Sequence, residues 1–182
     1  MAATNPLGID LDLLDPADAR ARIISSCVRC WFERNPSGHR NWGDCSGFVK
    51  AVQKDLGLRP FTGQANDIYS EVVDRNDWLV LGHGAEGASK AGAAANAGAL
   101  TVAVWENRAQ PGEPGWARHP GHGHIAIVTA YLPMLGHTPE QHSIGAWGQL
   151  GKVGHLMDRM SQSFGHGKRA SIRYARSLSA IF

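Results

Sequence analysis

The chain changes texture at Gly98, and that change limits the folds open to it. Ahead of Gly98, apolar residues recur at helical spacing; after it, short apolar runs alternate with loops rich in proline and glycine. Helices first and an antiparallel sheet afterwards predict an α+β arrangement. In the helical half, Asp15 can cap and Pro16 suits a first helical position, and Ile23, Ile24, Cys27, Val28 and Trp31 then supply one apolar face. A second helix is predicted to open at Asp44-Cys45-Ser46-Gly47, burying Phe48, Val49, Val52 and Leu56 and stopping at Gly57. A third is predicted over 64–74 and a fourth over the Ala/Gly-rich stretch 85–97. Past Gly98, strands are predicted at 100–105, 124–131, 142–147 and 170–176, with 110–123 a loop. The run His-Ile-Ala-Ile-Val-Thr-Ala-Tyr at 124–131 is the clearest of them.

Residues 1–14 read as a lead-in and 15–182 as one domain. That length can bury a core without staples. Three cysteines do not make a disulfide framework. A formal net charge of +2 is too small to argue for a nucleic-acid partner. No apolar run approaches the roughly 18 residues that would cross a bilayer, so no membrane insertion is expected. The N-terminus carries neither the basic nor the apolar region of a secretory signal, which predicts a protein made in the cytoplasm.

Two residues stand out chemically. Cys45 sits in the predicted first turn of a helix, where free backbone N–H groups and the positive end of the dipole favour a thiolate. Ser46 and Gly47 are small and leave the sulfur accessible; the other reading of Cys45 is a small buried hydrophobe. Asp44 reads as the cap and not as a catalyst. His124 stands where the Pro/Gly loop enters the apolar strand, placed to project towards a helix N-terminus packed across the sheet. An imidazole beside a thiol is the usual activating base. The alternative for His124 is one more loop histidine, since five of the nine histidines fall between His119 and His142. His122 and His124 would face the same side of a strand, but a zinc hydrolase usually needs three protein ligands, and no His-Glu-x-x-His helix is present. Cys27 and Cys30 form a Cys-x-x-Cys in mid-helix, which fits packing better than redox chemistry. Trp42, Trp105, Trp116 and Trp147 suit either a cleft or the core. Lys168, Arg169, Arg173 and Arg176 form a basic C-terminal region whose default is a solvated face.

Asp44-Cys45-Ser46-Gly47-Phe48-Val49 resembles the cysteine motif of the NlpC-type papain-like peptidoglycan peptidases, and Gly123-His124-Ile125-Ala126-Ile127-Val128 resembles their histidine motif, in the family's order. Phe61 to Ile68, Trp78 and the Ala-rich stretch into Gly98-Ala99-Leu100 are similar to the amidase effectors of bacterial type VI secretion. The likeness covers roughly residues 25–176. Where housekeeping members carry Tyr-x-Trp-Gly-Gly before the cysteine, this chain has Arg40-Asn41-Trp42-Gly43.

The resemblance implies a papain-like fold with Cys45 as nucleophile and His124 as base. It also implies a third group on the strand after the histidine strand. His142 is the choice there on chemical type, with Ser143 and Gln149 the alternatives. The implied reaction cleaves a stem-peptide amide of peptidoglycan, between D-glutamate and diaminopimelate, with no cofactor and no metal. Partners implied are the peptidoglycan substrate, a cognate immunity protein and a type VI secretion component, with action in the periplasm of target bacteria. Rival readings on the same scaffold are an amidohydrolase of the sugar–peptide bond, a lipid acyltransferase, and a non-catalytic wall-binding or interaction module.

Overall fold

The computed structural model describes residues 18–36, 38–107, 122–132, 136–137, 139, 143–149 and 152–181. The lead-in 1–14, most of the loop 110–123, Trp116, His119 and His142 lie outside the described residues. The architecture is α+β. Helix α1 spans Ala19–Phe32, and α2 spans Cys45–Asp55 after a 3-10 turn at Asn41–Gly43. Next come α3 (Ala65–Asp74), β1 (Trp78–His83), α4 (Gly84–Asn96), β2 (Thr101–Trp105) and β3 (His124–Tyr131). The chain continues through β4 (Ser143–Gln149), β5 (Lys152–Arg159), the single-turn α5 (Met160–Ser163), a 3-10 turn at His166–Ser171 and β6 (Arg173–Ser177).

The six strands form one open antiparallel sheet in the order β1-β6-β2-β3-β4-β5. Side chains alternate across it. Val102, Val104, Ile125, Ile127, Ala146 and Ala175 join the core built by α1, α2 and α3. Ala103, Ala126, Val128, Trp147 and Tyr174 join a second core under α4 and α5. The sheet is therefore covered on both faces, which is why β3 reads as an unbroken apolar run instead of alternating with polar residues. The glycines of α4 are a packing requirement. A Cβ at Gly92 would lie 2.3 Å from the Tyr131 ring, and one at Gly87 would lie 2.7 Å from the Gly82 backbone. The helix lies too close to the sheet for side chains at these two positions.

Three expectations need correcting. The cap of α1 is Asp18, whose carboxylate accepts from the backbone N–H of Arg20 (2.9 Å) and Ala21 (3.1 Å), so the helix starts later than Asp15-Pro16 suggested. Two strands, β1 and β5, were not predicted, and β1 precedes α4, so the helices do not all come first. Residues 170 and 171 belong to the 3-10 turn, and β6 begins at Arg173.

Candidate active site

Cys45 is the first residue of α2, as the sequence predicted. Asp44 caps the helix by accepting from the Gly47 N–H at 2.8 Å, and Asn35 Nδ2 donates to the same carboxylate at 2.9 Å. The cap is thus anchored to the loop after α1. Asn41 is buried and donates to the Cys30 carbonyl at 2.8 Å, which ties the 3-10 turn to the end of α1. Gly148 of β4 presses on this junction from the other side. A Cβ there would lie 2.3 Å from the Asn41 carbonyl oxygen and 2.5 Å from that of Asp44. Trp42 packs against the helical core, so it anchors the turn and does not face the cleft.

Cys45 is 9% exposed. Burial pushes its thiol above the ordinary cysteine value. Hydrogen bonds from the Ile125 backbone and from Ser46 pull the other way, and the Asp44 charge adds to the rise. The Ser46 hydroxyl lies 3.9 Å from Sγ. The net direction is upward, which favours the thiol over the thiolate that position alone suggested. Nucleophilic chemistry at Cys45 requires a base.

His124 opens β3 and stands opposite Trp105 in the β2–β3 register. Its Nε2 lies 2.9 Å from Ser163 Oγ, and its ring meets Phe164 edge-on with centroids 5.1 Å apart. When Nε2–H donates to Ser163, Nδ1 is the nitrogen able to accept a proton. Cys45 and His124 line one cleft, which holds about 560 Å³ of empty space including its open mouth. Gln149, Ser163 and Phe164 line it as well. So do Trp105, His122, Gly123 and Lys168.

The candidates for the third position separate. His142 lies outside the described residues. Its neighbour Ser143 is buried, donates to the Pro139 carbonyl at 3.2 Å, and pairs with Tyr131 at the far end of β3 from His124. That is roughly 23 Å away at about 3.3 Å per strand residue. Continuing the Ile127–Ala146 pairing along the two strands brings Gln149 opposite His124, at the cleft.

Other expectations are sorted by the same geometry. Cys27 and Cys30 are buried in the core, and burial raises both thiols, Cys30 to about 12. Trp147 is fully buried, whereas Trp105 lines the cleft. Lys168 does not lie on a solvated basic face: its Nζ sits 3.9 Å above the Trp105 ring centroid. Arg173 likewise stacks on Tyr69, 3.7 Å from that ring's centroid. Among the described residues, no three His, Cys, Asp or Glu side chains converge as a metal site. No described helix is long and apolar enough to cross a membrane. Ser163 was missed at the sequence level, because a serine in a single helical turn after an irregular edge strand carries no pattern that marks it.

No protein-family profile matches the chain. Among curated proteins it is similar to the peptidoglycan amidase Tse1 of Pseudomonas aeruginosa, with 30% identity over 106 residues. The match covers 58% of this chain and 57% of that protein, so the chain spans somewhat more than half the length of the relative.

Proposed function

We propose that the protein is a cysteine-dependent peptidoglycan amidase of papain-like, NlpC-type architecture. The observation that carries this reading is the meeting of Cys45, on a helix N-terminus, with His124, on a strand start, in a single open cleft. The similarity to a peptidoglycan amidase supports the substrate. In the proposed reaction His124 takes the thiol proton as Sγ attacks the carbonyl of a stem-peptide amide. The Cys45 backbone N–H is a natural donor to the developing oxyanion. Collapse breaks the C–N bond, and the proton held by His124 passes to the leaving amine. Water, deprotonated by His124, then attacks the thioester and releases the acid. Burial raises the Cys45 thiol, which supports a role for His124 in removing its proton.

For the group that orients His124, the hydrogen bond to its ring supports Ser163, and Gln149 lines the same cleft. The γ-D-glutamyl–diaminopimelate bond is the proposed target, on the strength of the sequence motifs. Delivery by type VI secretion to a rival's periplasm, with an immunity protein that plugs the cleft, belongs to the same reading.

The experiment is digestion of purified sacculi followed by mass spectrometry of the soluble fragments. The protein should release fragments ending in a free D-glutamyl γ-carboxylate, and the Cys45→Ala protein should release none above background. Fragments cut elsewhere would move the bond, and equal digestion by the Cys45→Ala protein would end the cysteine mechanism.

A further inference from the structure

Among the described residues, the charge of Lys168 is met by a ring and not by a carboxylate. Arg29 pairs with Asp55, Arg75 with Glu71 and Asp77, and Lys90 with Glu86. Lys168 meets an aromatic face instead, with Nζ 3.9 Å from the Trp105 centroid. Among the described residues no carboxylate pairs with it, and the described residues that line its cleft include neither Asp nor Glu. Burial lowers its pKa, because partial loss of water disfavours the charged form. An aromatic face steadies an ammonium by its quadrupole but accepts at most one of its three donors. The remaining donors suit an anion.

The mount is also stiff. Lys168 sits in the 3-10 turn His166–Ser171, whose backbone is held by Lys168 N–H to Gly165 O at 2.9 Å and by Ser171 Oγ to Lys168 O at 2.8 Å. Trp105 in turn lies opposite His124 in the sheet, so the cation is referenced to the same strands that carry the proposed base.

We propose that Lys168, seated on Trp105, forms a carboxylate subsite that selects the substrate by a free carboxylate of the stem peptide flanking the amide to be cut. This deepens the amidase reading and rests on it. Stem peptides carry free carboxylates next to their amide bonds, and in some walls these are amidated. A lysine in a sheltered cleft distinguishes the two forms, because a carboxamide neither carries the charge nor matches the acceptor strength of a carboxylate.

The test compares two muropeptides that differ in this one group, free acid and carboxamide, with the native protein and its Lys168→Met and Lys168→Arg variants. The native protein should favour the acid by roughly 10- to 100-fold in kcat/KM, mostly through KM. K168M should bring the ratio of the two substrates close to one, and K168R should restore part of it. Thermal midpoints check that the variants fold. A native protein that does not discriminate overturns the subsite. So does a K168M variant that loses equally on both substrates, or one that gains activity. Binding of the same two peptides to the Cys45→Ala protein, with and without K168M, separates this proposal from the reaction. If nothing is cleaved but the acid still binds tighter and loses that advantage in K168M, the amidase reading falls and the subsite stands. If binding is blind to Lys168, the subsite falls whatever the activity.

Discussion

Gly148→Ala is a one-carbon change that tests how the cleft is assembled. The added Cβ would sit 2.3 Å from the Asn41 carbonyl oxygen, 2.5 Å from the Asp44 carbonyl oxygen and 2.6 Å from the Asp44 carbonyl carbon. An ordinary carbon–oxygen contact needs about 3.3 Å, so the strand and the helix start must part by about 1 Å. All three atoms are backbone, and none can rotate away. Asp44 is further fixed by its bonds to Gly47 and Asn35, and Asn41 by its bond to Cys30. Overpacking of this kind costs about 2 kcal/mol, which lowers the thermal midpoint of a chain this size by roughly 4–8 °C. The same shift moves Cys45 relative to Gln149 and His124, and a misplacement of about 1 Å can cost about 100-fold in turnover. The assays are thermal unfolding by circular dichroism and turnover on sacculi, measured on the same preparation. A Gly148→Ala protein with the native midpoint would show that the junction is loose, and the account of how Cys45 is positioned would be wrong.

Ser163→Ala should lower kcat by about 10-fold through loss of one hydrogen bond to His124, shift the acid limb of the pH–rate profile, and be rescued in part by Ser163→Thr. An unchanged pH profile would remove Ser163 from the orienting role. Arg75 donates to Asp77 and Glu71 and to the carbonyls of Arg59 (2.9 Å) and Pro60 (3.1 Å), so Arg75→Ala should cost about 2–4 kcal/mol in chemical denaturation. The Arg75 hydrogen bond holds the Asp77 carboxyl below its ordinary value. Its share of stability is therefore present above the usual carboxylate range and lost as pH falls through the folded value, and Arg75→Ala should flatten that acid limb. Because burial raises the Cys45 thiol, alkylation of that residue in the folded protein should be slow at pH 7 and climb with pH past the ordinary cysteine range, as read by mass spectrometry of the labelled peptide. Rapid labelling at pH 7 that Cys45→Ala abolishes would mean a resting thiolate after all.

The sequence was most legible where local chemistry decides the outcome. Asp44 followed by the apolar stripe of α2 sets that helix start without help, and the loop-to-apolar switch at His124 sets the start of β3. It was least legible where distant pairing decides. Trp78–His83 becomes a strand because β6 pairs with it across most of the chain, and Lys152–Arg159, with mixed polarity and an exposed edge, becomes one because β4 lies beside it. The start of α1 is ambiguous in sequence because Asp15 and Asp18 are both acceptable caps, and residue type alone does not choose between them. At the cleft, Cys45 and His124 were visible as motif residues. Ser163 and Lys168 were not, because they arrive from a turn whose location depends on β5 and β6. His142 was chosen by side-chain type and lies outside the described residues, while continuing the β3–β4 register places Gln149 at the His124 end of the strand.

The order of the strands leaves one long-range closure to the last described strand. β6 lies between β1 and β2, so β1 joins the rest of the sheet only once the last described strand is made. The closing ladder joins Trp78 to Ser177, 99 residues apart, and contacts of such span are slow to form because the loop must be closed before any pairing repays it. Lys168, Phe164 and Ser163 belong to the same late segment. Ser163 and Lys168 lie between β5 and β6, so a nascent chain presents Cys45 and His124 before the hydroxyl beside the imidazole and the cation over Trp105. The wall of the cleft that carries Ser163 and Lys168 is therefore the last part of it to be synthesised.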